Sequence, residues 1–120
     1  MARILAVDDS KAMRDLVSSV LISAGHEVQV ASDGDEALEV ARTERFDLVL
    51  SDVHMPNMNG ISLVSKLRRL PGFEYIPMIM VTTEDSDYKK KKAKAMGATG
   101  WLVKPFSPER LINAVTKLVG

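Results

Sequence analysis

Five short strand-like runs recur along this chain of 120 residues, and each is followed by a stretch with helical spacing. The runs are Ile4–Val7, Glu27–Ala31, Phe46–Ser51, Pro77–Val81 and Thr99–Val103. Runs that are apolar throughout are typical of parallel strands buried on both faces. Their alternation with helices over short connections predicts an α/β fold, a doubly wound (βα)5 domain with a five-stranded parallel sheet.

Each intervening stretch carries apolar residues at three- and four-residue steps, the spacing of an amphipathic helix. Start and stop signals support the assignment, since glycines follow the first and fourth stretches and Ser107 and Pro108 begin the last one. The predicted helices extend from Ser10 to Ala24, from Glu36 to Ala41, from Ile61 to Leu70, from Asp85 to Met96 and from Ser107 to Val119.

The composition limits the domain count and the classes of partner. The length fits one domain, residues 1–120, with a core that needs no disulfide or structural metal. Sixteen basic and sixteen acidic residues leave no net charge, so no overall basic field favours nucleic acid or an anionic membrane. The chain has no cysteine, no apparent targeting signal and no apolar run near the roughly 20 residues of a membrane helix. A cytoplasmic protein is expected.

Polar residues stand where four of the five strands end: Asp8, Asp9, Asp52, Thr82 and Lys104. Taken singly, each has an ordinary interpretation, such as a helix cap, a loop start or a solvated charge. Taken together they converge, because the carboxyl ends of parallel strands share the edge where ligands bind in such sheets. Three carboxylates with a hydroxyl and an ammonium could hold a metal and an anion together, which predicts phosphoryl chemistry.

These residues resemble the receiver domain of bacterial two-component response regulators. The resemblance covers the whole chain and rests on the acidic pair after the first strand, on Asp52 with the loop that ends at Gly60, on Thr82, and on Lys104-Pro105. The chain resembles the stand-alone receivers of the CheY type found in chemotaxis, because it begins at the first strand and ends with the fifth helix. The resemblance implies a flavodoxin-like strand order of 2-1-3-4-5.

The resemblance implies a signalling switch that catalyses only its own phosphorylation and dephosphorylation. Asp52 would accept a phosphoryl group from the phosphohistidine of a sensor kinase. Mg²⁺ would be held by Asp9 and Asp52 directly, by Asp8 through water, and by the backbone carbonyl of His54.

Thr82 and Lys104 would contact the phosphoryl group, and the Lys104–Pro105 peptide bond is usually cis in this family. Trp101 stands where such receivers place a switch aromatic. Movement of Thr82 toward the phosphoryl group would let Trp101 turn inward, so that the fourth helix, fifth strand and fifth helix present a new face.

Two more residues are expected to tune the lifetime of the phosphorylated state. His54 lies two positions after the acceptor, Glu84 lies two after Thr82, and both would flank the path of water to the aspartyl phosphate. The lysines between Lys89 and Lys94 are most simply a solvated face, although they also line the expected output helix, where an acidic segment with apolar residues would fit.

The expected partners are a CheA-like sensor histidine kinase and a FliM-like flagellar motor switch protein, with a phosphatase as a further candidate and the protein itself a monomer. Alternatives of the same fold are a shuttle that passes its phosphoryl group to a histidine phosphotransfer protein, and a receiver cut from a longer regulator. A phosphatase of the haloacid dehalogenase type would need its first two aspartates one residue apart. A flavodoxin-like FMN carrier would not place Asp8-Asp9 against a flavin phosphate.

Overall fold

Strands and helices alternate through the ten elements of the computed structural model, which describes residues 1–119. The strands are β1 Arg3–Val7, β2 Glu27–Ala31, β3 Leu48–Asp52, β4 Met78–Thr82 and β5 Gly100–Val103. The helices are α1 Lys11–Ser23, α2 Gly34–Thr43, α3 Gly60–Leu67, α4 Asp87–Ala95 and α5 Pro108–Val119. All ten predicted elements are present, and most of their bounds differ from the predicted ones by a few residues.

The five strands form one parallel sheet in the order β2-β1-β3-β4-β5. This confirms the predicted doubly wound α/β fold and its strand order. The register aligns the carboxyl ends of the central strands, because Asp52 pairs with Val81 and Thr82 pairs with Val103. Polar residues at these ends therefore face one edge of the sheet.

Successive side chains of the central strands enter two separate cores, one on each face of the sheet. Residues such as Leu5 and Val49 pack with α2 and α3 on one face. Ile4 and Leu48 pack with α1 and α5 on the other. Burial on both faces explains why these strands are apolar throughout.

Side-chain caps determine where most helices begin. Ser10, Asp33, Asn59 and Ser86 each accept a hydrogen bond from the backbone N–H three residues later. The end of α3 differs from its prediction, because the backbone tightens into three-residue hydrogen bonds after Leu67 and the helix stops short of Leu70. None of the helices within residues 1–119 combines the length and apolar character that crossing a membrane requires.

Candidate functional site

Three carboxylates meet at the carboxyl edge of the sheet. Asp8 and Asp9 directly follow β1, and Asp52 is the last residue of β3 rather than the first residue after it. One carboxylate oxygen from each of the three lies within 4.8 Å of the others. Asp8 and Asp52 are buried, whereas Asp9 is exposed to solvent. The structure therefore brings the predicted acidic residues together in a cleft that is open on the Asp9 side.

Lys104 is the cation of this cleft. Its Nζ atom lies 2.9 Å from Asp8 Oδ2 and 3.4 Å from Asp52 Oδ2. Its side chain is only 13% exposed, so solvent screens these ion pairs weakly. One ammonium facing three carboxylates leaves the cleft with an excess of negative charge.

Burial in the cleft, more than the neighbouring charges, changes the pKa of Asp52. Burial raises the pKa of its carboxyl above the ordinary value, and the nearby charge of Asp8 raises it further. The Lys104 ammonium and the backbone N–H of His54, which donates to Oδ1 over 3.3 Å, act in the opposite direction without cancelling the effect of burial. The protein alone therefore does not fully offset the free-energy cost of burying the charged form of Asp52.

Three hydrogen bonds fix Asp8 in place. The N–H of Asp8 donates to the carbonyl of Ala31 over 3.1 Å, and the N–H of Ser10 donates to Asp8 Oδ1 over 2.9 Å. Arg14 Nη1 donates to the carbonyl oxygen of Asp8 over 2.8 Å. Sequence reasoning missed Arg14, because only the folded turn between β1 and α1 brings its guanidinium to that carbonyl.

Gly60 is a second residue whose role sequence reasoning missed, since it was treated only as part of the loop after β3. A Cβ atom at this position would lie 2.0 Å from the carbonyl oxygen of Asp52, which no side chain can tolerate. Its N–H donates to the carbonyl of Val53 over 2.8 Å, so the loop after β3 folds back onto the strand. Glycine is required here for close approach of two backbone segments.

Thr82 and Lys104 are linked at the ends of neighbouring strands. The N–H of Lys104 donates to the Thr82 carbonyl over 2.7 Å, and the Lys104–Pro105 peptide bond is cis. The Thr82 side chain is fully buried, and its Oγ1 accepts a hydrogen bond from the N–H of Glu84 over 3.2 Å. Within residues 1–119 the hydroxyl accepts this bond and donates none.

Trp101, in β5, contacts the loop that follows Thr82. The indole Nε1–H donates to the backbone carbonyl of Glu84 over 3.0 Å, and the ring is partly buried against the core. The segment from Thr82 to Glu84 is thus hydrogen-bonded to the backbone of Lys104 at one end and to the indole at the other.

The Glu84 side chain contacts both His54 and Lys89 at the mouth of the cleft. Its Oε1 lies 3.1 Å from His54 Nε2 and accepts a hydrogen bond from Lys89 Nζ over 3.3 Å, and its Oε2 lies 3.2 Å from the same Nζ. Sequence reasoning placed His54 and Glu84 beside the same path of water but did not include Lys89. Lys89 lies in the first turns of α4, and its contact with Glu84 depends on how α4 packs. No local sequence pattern predicts that contact.

The donor set fits Mg²⁺. This cation prefers oxygen ligands and keeps several waters, and the cleft offers carboxylate oxygens close to the backbone after β3. The raised pKa of Asp52 is consistent with this fit. Lys104 alone does not offset the effects of burial and of Asp8, and a bound cation would add positive charge beside the carboxylate.

The fold and this acidic cleft together define a receiver domain of the two-component type. Residues 4–116 match the family model described as "Response regulator receiver domain", and the chain belongs to that family. Its CheY-like character follows from a solved structure, the chemotaxis protein CheY4 of Vibrio cholerae. That protein is 49% identical over 98% of both chains, with a TM-score of 0.96. These findings confirm the family resemblance.

Other relatives differ in length. Protein PilH of Pseudomonas aeruginosa is 36% identical, with 99% of this chain matching 98% of that protein. By contrast, the chain spans about half the length of the Bacillus subtilis transcriptional regulatory protein PhoP, with 38% identity over 98% of this chain and 48% of PhoP. The receiver of sensor histidine kinase PA1611 of P. aeruginosa, 25% identical over 99% of this chain and 98% of that one at a TM-score of 0.90, has a magnesium ion in its active site cleft.

Proposed function

We propose that the whole chain forms one receiver domain in which Asp52 accepts a phosphoryl group from the phosphohistidine of a sensor kinase. The observation that carries the proposal is the convergence of three carboxylates within 4.8 Å, with Lys104 Nζ 2.9 Å from Asp8 and 3.4 Å from Asp52. Such a set can bind a divalent cation and a phosphoryl group side by side.

In this proposal a carboxylate oxygen of Asp52 attacks the phosphorus atom. The new O–P bond forms as the P–N bond to the histidine breaks, and the electron pair of that bond stays on the imidazole nitrogen. Lys104 faces the phosphoryl oxygens as a point charge, and the hydroxyl group of Thr82 donates a hydrogen bond to one of them. The residues contribute mainly position and charge, as is typical of phosphoryl transfer.

Asp8, Asp9, Asp52 and the backbone carbonyl of His54 are the residues that would hold Mg²⁺. When bound, the ion offsets the negative charge of the carboxylates and of the incoming phosphoryl group. The convergence of three carboxylate oxygens supports this assignment.

The output side of the switch is proposed to be the face formed by α4, β5 and α5. Thr82 and Trp101 are connected through Glu84, whose N–H binds Thr82 Oγ1 and whose carbonyl binds the indole. If Thr82 turns toward a phosphoryl oxygen, this loop shifts and the indole loses or changes its hydrogen bond. The likeness to CheY4 supports an output partner of the chemotaxis kind, the flagellar motor switch protein.

The first experiment follows the fluorescence of Trp101, the only tryptophan, on addition of Mg²⁺ and beryllofluoride. We expect an emission change that requires both reagents and disappears in Asp52→Asn. Mass spectrometry after incubation with Mg²⁺ and acetyl phosphate should show one phosphoryl group, absent from the same variant. Fluorescence unchanged by both reagents, together with an unmodified mass, would defeat the proposal.

A second experiment separates the two candidate outputs. The beryllofluoride-bound protein is mixed with a purified flagellar motor switch protein or with a histidine phosphotransfer protein. Activation-dependent binding to the first alone supports the chemotaxis assignment. Transfer of the phosphoryl group to the second, without binding to the first, supports the relay shuttle.

A further inference from the structure

A groove of about 380 Å³ lies between α3 and α4, on the side of α4 that faces away from β5. The buried side chains of Val53 and Ile61 contribute its inner apolar surface, and the exposed side chains of Tyr88 and Met96 contribute outer apolar surface. The groove also reaches His54, at the mouth of the acidic cleft. It is distinct from the face proposed above for output.

The charges along this groove are all positive. Lys66 and Arg69 line it from α3, Lys89 and Lys92 line it from α4, and none of its lining residues is acidic. Lys89 is paired with Glu84, but the other three form no ion pair with any acidic side chain in residues 1–119. Three uncompensated cations therefore surround an apolar surface on a chain of zero net charge.

The lysines of α4 separate into two groups. Lys89 and Lys92 face the groove, whereas Lys90 and Lys94 line a different depression, next to Trp101 of β5. The lysine run is thus not one uniform solvated face. A ligand in the groove would meet Lys92, and a partner on the β5 side would meet Lys94.

We propose that the groove between α3 and α4 binds an acidic peptide segment of a partner protein, with an apolar side chain entering between Tyr88 and Ile61. Charge complementarity favours acidic residues opposite Lys66, Arg69 and Lys92. An exposed tyrosine beside buried apolar surface is the kind of feature that contributes strongly to binding. The peptide occupies the space between two helices, as in helix-in-groove recognition.

A bound peptide would also touch the residues at the cleft mouth. His54 and Lys89 both line the groove and both contact Glu84, so an acidic side chain there competes with Glu84 for contact with these two residues. The lifetime of the aspartyl phosphate then changes with peptide binding. This consequence rests on the proposed function, whereas binding itself does not.

Binding is tested on the full chain without Mg²⁺ or phosphodonor, so that its outcome is independent of Asp52 chemistry. A displayed library of random dodecapeptides is selected on the wild-type protein, and the enriched peptides are measured by fluorescence anisotropy. We expect sequences that combine acidic and apolar residues. Lys92→Glu and Arg69→Glu should each weaken their binding by about fivefold or more, as expected when a pair attraction becomes a repulsion.

Lys94→Glu is the matched control, since it makes the same charge change on the same helix but outside the groove. Its effect should stay within about twofold. Circular dichroism and urea midpoints establish that the variants are folded, and Lys66→Glu provides a further groove position if one of the others is not.

Three results would overturn the proposal. The library could yield no acidic peptide, or Lys94→Glu could weaken binding as much as Lys92→Glu, which would indicate general charge attraction. ATP, added as a competitor in the anisotropy measurement, could displace every peptide and bind the groove more tightly than any of them, which would make it a small-anion site. Loss in the groove variants alone, with retention in the control, supports the peptide.

Discussion

The neighbouring helices α3 and α4 are similar in length, yet different forces attach them to the sheet. Five of the eight residues of α3 are buried, whereas Ala93 is the only buried residue among the nine of α4. Polar contacts dominate the start of α4, where Ser86 caps the helix and Lys89 and Lys90 pair with Glu84 and Asp85. Apolar burial contributes far more free energy than exposed ion pairs. It follows that α4 can shift at a small cost in free energy while α3 stays fixed.

The largest expected effect comes from a truncation in each helix. Leu67→Ala in α3 removes a fully buried side chain and should lower the free energy of unfolding by about 3 kcal/mol. Ala93→Gly in α4 should lower it by only about 1 kcal/mol, because the change acts mainly through helix propensity. Urea denaturation of both variants measures the two values. Equal losses would mean that α4 is attached as firmly as α3.

The next effect comes from the cleft beneath the first turn of α3. Asp52→Asn removes a buried charge while Lys104 keeps its contact with Asp8, 2.9 Å away. Without Mg²⁺ at pH 7, the variant should be more stable than wild type by on the order of 1 kcal/mol. Thermal unfolding with and without Mg²⁺ tests this, because added Mg²⁺ should stabilise the wild-type protein more than the variant.

The pH dependence of that difference provides its control. Because burial raises the pKa of Asp52, the folded protein holds this proton more tightly than the unfolded chain does. Charged Asp52 therefore lowers stability as the pH rises from the ordinary pKa of 3.8 through the raised value. The advantage of Asp52→Asn should be full near neutral pH and shrink as the pH falls toward 3.8. A difference that is constant with pH would contradict this origin.

A matched pair of cap variants gives a smaller and more local effect. Ser86→Ala and Asn59→Ala each remove a side chain that accepts a backbone N–H at a helix start, a loss of about 1 kcal/mol. For Asn59, on α3, the loss should appear in global urea unfolding. For Ser86, on α4, it should appear mainly as faster hydrogen exchange of α4 amides. If both losses appeared in global urea unfolding, α4 would be as firmly attached as α3.

The smallest effect on stability is expected at the cleft mouth. His54→Ala and Glu84→Ala break a half-exposed pair and should change the free energy of unfolding by less than about 0.5 kcal/mol. The lifetime of the aspartyl phosphate should nevertheless change about threefold, while phosphorylation still occurs. Lys91→Ala, an exposed α4 residue away from the pair, is the control. Unchanged lifetimes in both test variants would exclude a tuning role.

The sequence was sufficient to predict the sheet, because continuous apolar runs and helical spacing are local signals that tertiary packing reinforced. It also predicted that Asp8, Asp52 and Lys104 would converge, since the carboxyl ends of parallel strands must meet. It did not predict the contact of Arg14 with the Asp8 carbonyl or the close approach of Gly60 to Asp52. Both depend on the exact path of a loop, which no short-range pattern encodes.

The side chain of Glu84 faces His54 and Lys89, and its backbone carbonyl faces the Trp101 indole. Under the proposed function, the first set of contacts governs how long a signal is remembered, and the second governs how strongly it is transmitted. The duration of the signal and the strength of its transmission therefore depend on the same short loop. A backbone shift that displaces this loop alters both at once, whereas a substitution of the Glu84 side chain removes the first set of contacts and keeps the carbonyl that the indole uses.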